Sequence, residues 1–334
     1  MVGPKSISKQ ELIKEFNTMP KSQKTGKMPK TNKISIAKPF LKWVGGKTQI
    51  IGTITELIPT KMNNYHEFFL GGGSVLLAVL SLQAENKYEI TGKIYAYDLN
   101  ETLITVYKNI QSHKDELYKY ITEYIELYNE CTGTIINRKP KNLNEATTSK
   151  ESFYYWMRHL YNTMTKDASK LRRSALFMVI NKTCFRGMYR EGPNGFNIPY
   201  GHYKKTPTMI TEDYLNYISK LIQPVEFICC DFKDAFKNVK SGDFVYMDPP
   251  YAPENKKSFV AYTKNGFNLE THNKLFKLTD ELNDKDIKFM MNNAKVKLVV
   301  DHFSKYKITD ILCRRAIHSK NPGAKAMEVI IMNY

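Results

Sequence analysis

Short apolar runs that each stop at a polar side chain recur along this chain, and they do so in two blocks. In the first, residues 66–70 run into Gly71, Gly72 and Gly73, residues 74–82 read as an apolar helix, and residues 93–97 stop at Asp98. In the second, Val225–Cys229 precedes Asp231, Phe244–Met247 precedes Asp248, and residues 287–291 precede Asn292 and Asn293. Runs this short and this apolar suit strands covered on both faces, as in parallel sheets. Strand, glycine turn, helix, strand is the opening of a doubly wound α/β sheet. Its polar strand ends would gather at the carboxyl edge, where open α/β sheets bind ligands. Residues 314–319 and 326–333 are expected to form an antiparallel pair near the end.

The two blocks are separated. Residues 103–215 are Tyr- and Lys-rich helical sequence followed by a Gly/Asn/Arg-rich stretch over 181–203, which reads as an inserted module. The expected division is a flexible basic extension over 1–36, a main domain over 37–102 and 216–334, and an inserted domain over 103–215. A chain of 334 residues is long enough for such an arrangement.

Lys and Arg outnumber Asp and Glu by 50 to 33, a net charge of +17. Residues 1–38 hold nine lysines against Glu11 and Glu15, so +10 remains in the body and favours a polyanionic partner. The five cysteines (Cys131, Cys184, Cys229, Cys230, Cys313) form no CxxC pair, so the reading is reduced thiols, no metal and an intracellular setting. No apolar stretch has membrane-spanning length, and the lysine-rich start lacks a signal-peptide core. The expectation is a soluble protein of the cytoplasm, or of the nucleus in a eukaryotic or viral setting.

The most specific motif is Asp248, Pro249, Pro250 and Tyr251, directly after the apolar run Phe244–Met247. The exocyclic amine of adenine is a poor nucleophile because its lone pair is delocalised into the ring. An acceptor on each amine hydrogen favours pyramidalisation: the Asp248 carboxylate can take one and the Pro249 carbonyl the other, in a turn stiffened by proline. Tyr251 offers a flat face for an extruded base. A strand-ending Asp that caps the next element, with Pro-Pro marking a loop, is the structural alternative.

Gly71 and Gly73, after Phe69, let backbone approach a cofactor closely, and the following helix presents unpaired N–H groups. A dinucleotide fingerprint would require glycine at position 76, which is Leu76. Asp98 at the next strand end suits ribose hydroxyls. Trp43 offers a face for a sulfonium, and Lys47, after Gly45 and Gly46, can pair with a carboxylate. A packed tryptophan and a surface lysine is the alternative there.

In this order, Phe40-Leu41-Lys42-Trp43 with Gly45-Gly46-Lys47, Phe69 with Gly71 and Gly73, Asp98 with Asn100, and Asp248-Pro249-Pro250-Tyr251 resemble the Dam-like (D12-class, alpha-type) N6-adenine DNA methyltransferases, from about Pro39 onward. The resemblance implies a Rossmann-like methyltransferase sheet, mostly parallel with one late antiparallel strand, and an inserted target-recognition module bearing a β-hairpin. It implies S-adenosylmethionine as methyl donor and double-stranded DNA as substrate, with methyl transfer to N6 of a flipped adenine in a short palindromic site. Trp43, Lys47, Asp98 and Asp248 match its cofactor-contacting positions. Asp231 and Phe232 match those that hold the cofactor's adenine, although a helix cap beside a core phenylalanine fits them nearly as well.

Lys42 matches a lysine that reaches DNA near the target. The stretch 181–205 resembles the family's DNA-reading hairpin, where Arg186 and Arg190 suit bidentate guanine contact, Phe185 a wedge into the base stack, and Lys204 and Lys205 phosphates, with Asn194 a further DNA-contacting residue. Many relatives have Asn where this chain has Arg186, so GATC-, CATG- and GTAC-like targets all stay open. A cognate restriction endonuclease acting on the same site, without binding this chain, is a further expected counterpart. Cytosine-C5 chemistry is excluded because none of the five cysteines follows a proline. An N4-cytosine methyltransferase and an inactive DNA-binding protein on the same fold are the alternatives.

Overall fold

The structure, a computed structural model, describes residues 36–164, 170–253, 267–314 and 325–334. Its centre is a seven-stranded sheet built from β1 (Tyr65–Phe68), β2 (Ile94–Asp98), β3 (Val225–Cys229), β4 (Phe244–Met247), β5 (Lys288–Ala294), β6 (Lys307–Arg314) and β7 (Lys325–Met332), in the spatial order β6-β7-β5-β4-β1-β2-β3. Neighbours from β3 across to β5 pair in parallel, and β7 pairs antiparallel with both β5 and β6. The fold is the expected α/β sheet with one late reversed strand. The order changes direction beside β1, so β1, β2 and β4 bring their carboxyl ends to the crevice where such sheets bind ligands.

β3 and β4 occupy the residues read from sequence; β4, in the interior of the sheet, is buried at all four positions. Three expectations need correction. The first strand ends at Phe68 rather than residue 70, because Phe69 takes a left-handed conformation (φ +60°) that breaks the ladder. Asn292 and Asn293 do not follow a strand but lie inside β5, since β7 pairs along it as far as Ala294. The described first strand of the closing pair, Lys307–Arg314, starts seven residues before the expected 314; it is a sheet edge, and Lys307 and Asp310 interrupt its apolar pattern. Residues 315–319 and 1–35 lie outside the described residues.

Helix α1 (Ser74–Ala84) starts from Gly73 and is buried on nearly every side, which is why it is apolar apart from Ser74, Ser81 and Gln83. Asn100 caps α2 (Glu101–Ser112) by accepting from Leu103 N–H at 3.0 Å. Beyond it, α3 (Lys114–Glu130), α4 (Lys150–Thr163) and α5 (Lys170–Thr183) pack together. α3 buries Leu117, Ile121, Tyr124 and Tyr128, the spacing of one helix face. Ser149 caps α4 and Thr211 caps α6 (Glu212–Leu221). α7 (Leu269–Asp284) lies against β5. Among the described residues no helix is long and apolar enough to cross a membrane.

Candidate active site

Asp248 follows the last residue of β4 and is held by a residue far away in sequence. Lys47 Nζ bonds Asp248 Oδ2 at 2.5 Å and the Gly45 carbonyl at 2.6 Å, with the lysine side chain only 6% exposed. Asp248 Oδ1 is buried and has no hydrogen-bond partner among the described residues. Burial pushes the Asp248 carboxyl above the ordinary carboxylate range, and the Lys47 ammonium opposes that shift. An unpaired, buried carboxylate oxygen costs about 1–3 kcal/mol or more, so a donor brought to it would be bound strongly.

The rest of the loop is pinned at two further points. The Tyr251 hydroxyl donates to Glu328 Oε2 at 2.8 Å, and Ala252 N–H donates to Asn293 Oδ1 at 3.0 Å. Lys47 Nζ also lies 5.0 Å from the Tyr251 ring centroid. Tyr246 Oη donates to Asn292 Oδ1 at 3.1 Å, and Tyr65 Oη to Glu67 Oε2 at 2.7 Å. Burial raises the Glu67 carboxyl to about 8, so at neutral pH it is protonated and adds little negative charge beside Asp248.

The glycine turn joins this loop to the crevice. Gly71 (φ +52°) and Gly73 (φ +67°) adopt left-handed backbone, and Gly71 N–H donates to Asp98 Oδ2 at 2.9 Å while Asn100 N–H donates to Oδ1 at 2.8 Å. Side chains are excluded there by packing as well as by torsion. A Cβ on Gly71 would lie 2.9 Å from Trp43 Cδ1, and one on Gly73 would lie 2.3 Å from Tyr107 Oη. The Trp43 ring thus lies on the turn, and its ring stacks with Tyr189 (5.6 Å, 29°). Asp231 caps a short helix, Phe232–Ala235, by accepting from Lys233 N–H at 3.0 Å. Phe232 packs with Phe69 at 5.6 Å and with Phe267 at 5.9 Å.

The structure therefore brings Trp43, Lys47, Phe69, Gly71, Gly73, Asp98 and the Asp248–Tyr251 loop to one edge of the sheet. The residues expected from the sequence to contact DNA form a second group. Lys42 sits at the foot of the hairpin, where its backbone exchanges two hydrogen bonds with the Asn181 side chain. Its ammonium lies 4.1 Å over the Tyr203 ring and bonds the Lys182 carbonyl at 3.1 Å. Phe185 is 41% exposed and Arg186 is exposed beside it, in left-handed backbone (φ +56°), its guanidinium 5.1 Å from the Phe185 ring. A two-rung hairpin, Glu191–Gly192 paired with Gly195–Phe196, puts exposed Asn194 in its turn. Arg190 Nε bonds Asn197 Oδ1 at 2.7 Å across it. Lys204 and Lys205 are exposed beyond it.

Asn293, Glu328, Tyr107 and Tyr189 were not singled out by sequence as partners of this site. Asn292 and Asn293 stand out as polar residues after an apolar run and Glu328 interrupts the apolar run 326–332; Tyr107 and Tyr189 carry no local signal. They matter only through contacts across the fold.

The sequence matches the family described as D12 class N6 adenine-specific DNA methyltransferase over residues 43–317. The "Type II methyltransferase M.MjaIII" of Methanocaldococcus jannaschii is 37% identical over 310 residues, covering 89% of this chain and 99% of its own. The "Type II methyltransferase M1.LlaDCHI" of Lactococcus lactis subsp. cremoris is 29% identical, covering 91% and 97% of the two chains. The "DNA adenine methylase" of Escherichia coli K12 is 28% identical, covering 88% and 94%. The match spans the crevice, the helices within 103–215, the hairpin and the Asp248 loop, and the chain belongs to the D12 class of N6 adenine-specific DNA methyltransferases.

Proposed function

We propose that the enzyme methylates N6 of an adenine rotated out of a short palindromic duplex site, with the Asp248 carboxylate and Pro249 carbonyl as acceptors for the amine hydrogens. The observation that carries this reading is the buried, partnerless Asp248 Oδ1 beside Oδ2 held by Lys47. The Lys47 ammonium favours the ionised carboxylate, which accepts rather than donates. Accepting both hydrogens returns the lone pair to the nitrogen and readies it for in-line attack. As the N–C bond forms, one amine proton must leave, and the Asp248 carboxylate is placed to take it. The Tyr251 ring supplies the stacking face for the extruded base.

S-adenosylmethionine, when bound, supplies an electrophilic methyl on a sulfonium, whose bonding pair stays with sulfur. The residues at the crevice fit such a group: the turn at Gly71 and Gly73 admits close approach, Asp98 retains lone pairs for ribose hydroxyls, and Trp43 offers an aromatic face. Asp231 and Phe232, with Phe69, are assigned to the cofactor's adenine. Lys47 would share its ammonium between Asp248 and the cofactor's carboxylate. No metal enters this reading.

Target reading is assigned to an inserted module over 103–215, with Phe185, Arg186, Arg190 and Asn194 toward bases and Lys42, Lys204 and Lys205 toward the target strand and phosphates. The exposed Arg186 and Phe185, which project side by side, support that assignment. The "Type II" relatives support a restriction endonuclease that acts on the same site. Incubating the pure protein with S-adenosylmethionine and mixed-sequence DNA, then sequencing modified positions, tests the proposal. It expects N6-methyladenine within one short self-complementary motif; an asymmetric motif, or methylation without a motif, rejects the palindrome.

A further inference from the structure

We propose that Glu328, on the strand that closes the sheet, is a positioning residue that fixes the Tyr251 ring in the orientation on which the extruded base stacks. The proposal rests on the base-flipping reading above and adds a residue to its machinery. Tyr251 lies in irregular backbone between Pro250 and Ala252, so no ladder or helix sets its side-chain direction. Its neighbours are fixed instead by Lys47 on Asp248 and by Asn293 on the Ala252 N–H. The ring is held at its far end, where its hydroxyl donates to Glu328 Oε2 at 2.8 Å. A phenol tethered at both Cβ and Oη can no longer swing about χ1 or tilt freely.

The place of Glu328 in the sheet makes the contact hard to explain as incidental. Glu328 is paired with Ala294 and Ile311, and the next residues of β7 on its own face are Ile330 and Met332, both fully buried. An acidic side chain in an otherwise apolar row is retained at a cost unless it is engaged. It is engaged by the one aromatic ring of the Asp248 loop and also by the Cys313 thiol of the neighbouring strand. Burial, followed by the charges of Asp248 and Glu328, holds the Tyr251 hydroxyl far above its ordinary pKa, so it stays a donor. Lys47 touches both ends of the arrangement, through Asp248 and through the ring face. A stacking platform that turns by a small angle displaces the amine from the Asp248 and Pro249 acceptors. Misplacement of this kind lowers the rate of the chemical step more than it lowers binding.

The test uses the full-length enzyme, S-adenosylmethionine, and a duplex built on the methylated motif found by sequencing, with a second duplex carrying 2-aminopurine at the target adenine. Glu328→Ala is expected to lower kcat by about 10–100-fold while the KM for DNA changes less than about threefold. It should also change the 2-aminopurine emission of the complex, which reports the stacking of the extruded base. Glu328→Gln keeps an oxygen acceptor in place and should return kcat to within about threefold of wild type. Tyr251→Phe, which keeps the ring and loses the hydroxyl, should match Glu328→Ala, and the double variant should be no slower than either single one. A wild-type kcat in Tyr251→Phe, multiplicative losses in the double variant, or Glu328→Gln as slow as Glu328→Ala would each overturn the proposal. If Glu328→Ala does not fold, the Tyr251→Phe and Glu328→Gln rates decide. Absence of adenine methylation by the wild-type enzyme would instead reject the base-flipping reading, a separate outcome.

Discussion

Replacing Gly73 by alanine should destabilise the protein by an amount that can be worked from two local facts. The residue sits at φ +67° and ψ 26°, where an L-residue costs about 1–2 kcal/mol. Its Cβ would fall 2.3 Å from Tyr107 Oη and 3.2 Å from Cζ, an overpacking of about 1–3 kcal/mol. The total is about 2–5 kcal/mol. With an unfolding entropy of about 2.1 cal/mol/K per residue, a chain of 334 residues loses roughly 3–7 °C of Tm. The two contributions separate through Tyr107→Phe. The Tyr107 hydroxyl is buried with no hydrogen-bond partner among the described residues, so its removal alone should cost under about 1 kcal/mol. In the Gly73→Ala background it removes the closest atom, and the double variant should regain the overpacking share while keeping the torsional strain. Thermal and urea unfolding of the four proteins, followed by circular dichroism, measures this. Gly73→Ala as stable as wild type, or no recovery on adding Tyr107→Phe, would refute the reasoning.

Other outcomes follow from charge. Glu67, raised to about 8 in the fold, ionises near 4.5 in the unfolded chain, so its share of stability is full below pH 4.5 and is lost as pH rises to 8. Glu67→Gln should therefore gain on wild type between pH 5 and 8, by at most about 1.4 kcal/mol per pH unit; a Tm difference that stays constant with pH contradicts this. Lys47→Met removes the ammonium that opposes burial at Asp248, so the acid limb of the pH–rate profile should move to higher pH, and an unmoved limb would show that Lys47 does not hold the carboxylate ionised. Lys204→Ala with Lys205→Ala should reduce the slope of log affinity against log salt by about 2, measured by anisotropy on labelled duplex; an unchanged slope removes them from the phosphate contacts. Arg186→Ala should alter the set of methylated sites seen by sequencing while cofactor affinity by calorimetry is unchanged, and an unaltered set rejects it as a reader.

The strand Phe244–Met247 is legible in the sequence because a strand inside a parallel sheet is apolar on both faces, whereas Val225–Cys229, at one edge of the sheet, is marked by buried Val225 and Phe227 on either side of exposed Glu226. The opposite edge strand, Lys307–Arg314, is not legible, because Lys307 and Asp310 interrupt its pattern. The end of β1 is obscured for a different reason: Phe69 extends the apolar run but bends the chain out of the ladder at positive φ. In the site, the Asp248–Tyr251 loop and the glycine turn are legible because their chemistry is contiguous. The partners that give those residues their state are not. Lys47 reaches Asp248 across 201 positions and Tyr251 reaches Glu328 across 77, and only the order of strands brings them together. The same holds for Tyr107 beneath Gly73, which gives that glycine a packing reason in addition to its torsion.

The central claim is that the Asp248 carboxylate activates an adenine amine. It is tested most directly by mass spectrometry of nucleosides from DNA treated with S-adenosylmethionine and either wild-type enzyme or Asp248→Ala, with circular dichroism confirming that both are folded. N6-methyladenine is expected from the wild type and none from the variant. N4-methylcytosine from the wild type, or undiminished N6-methyladenine from Asp248→Ala, would contradict the claim.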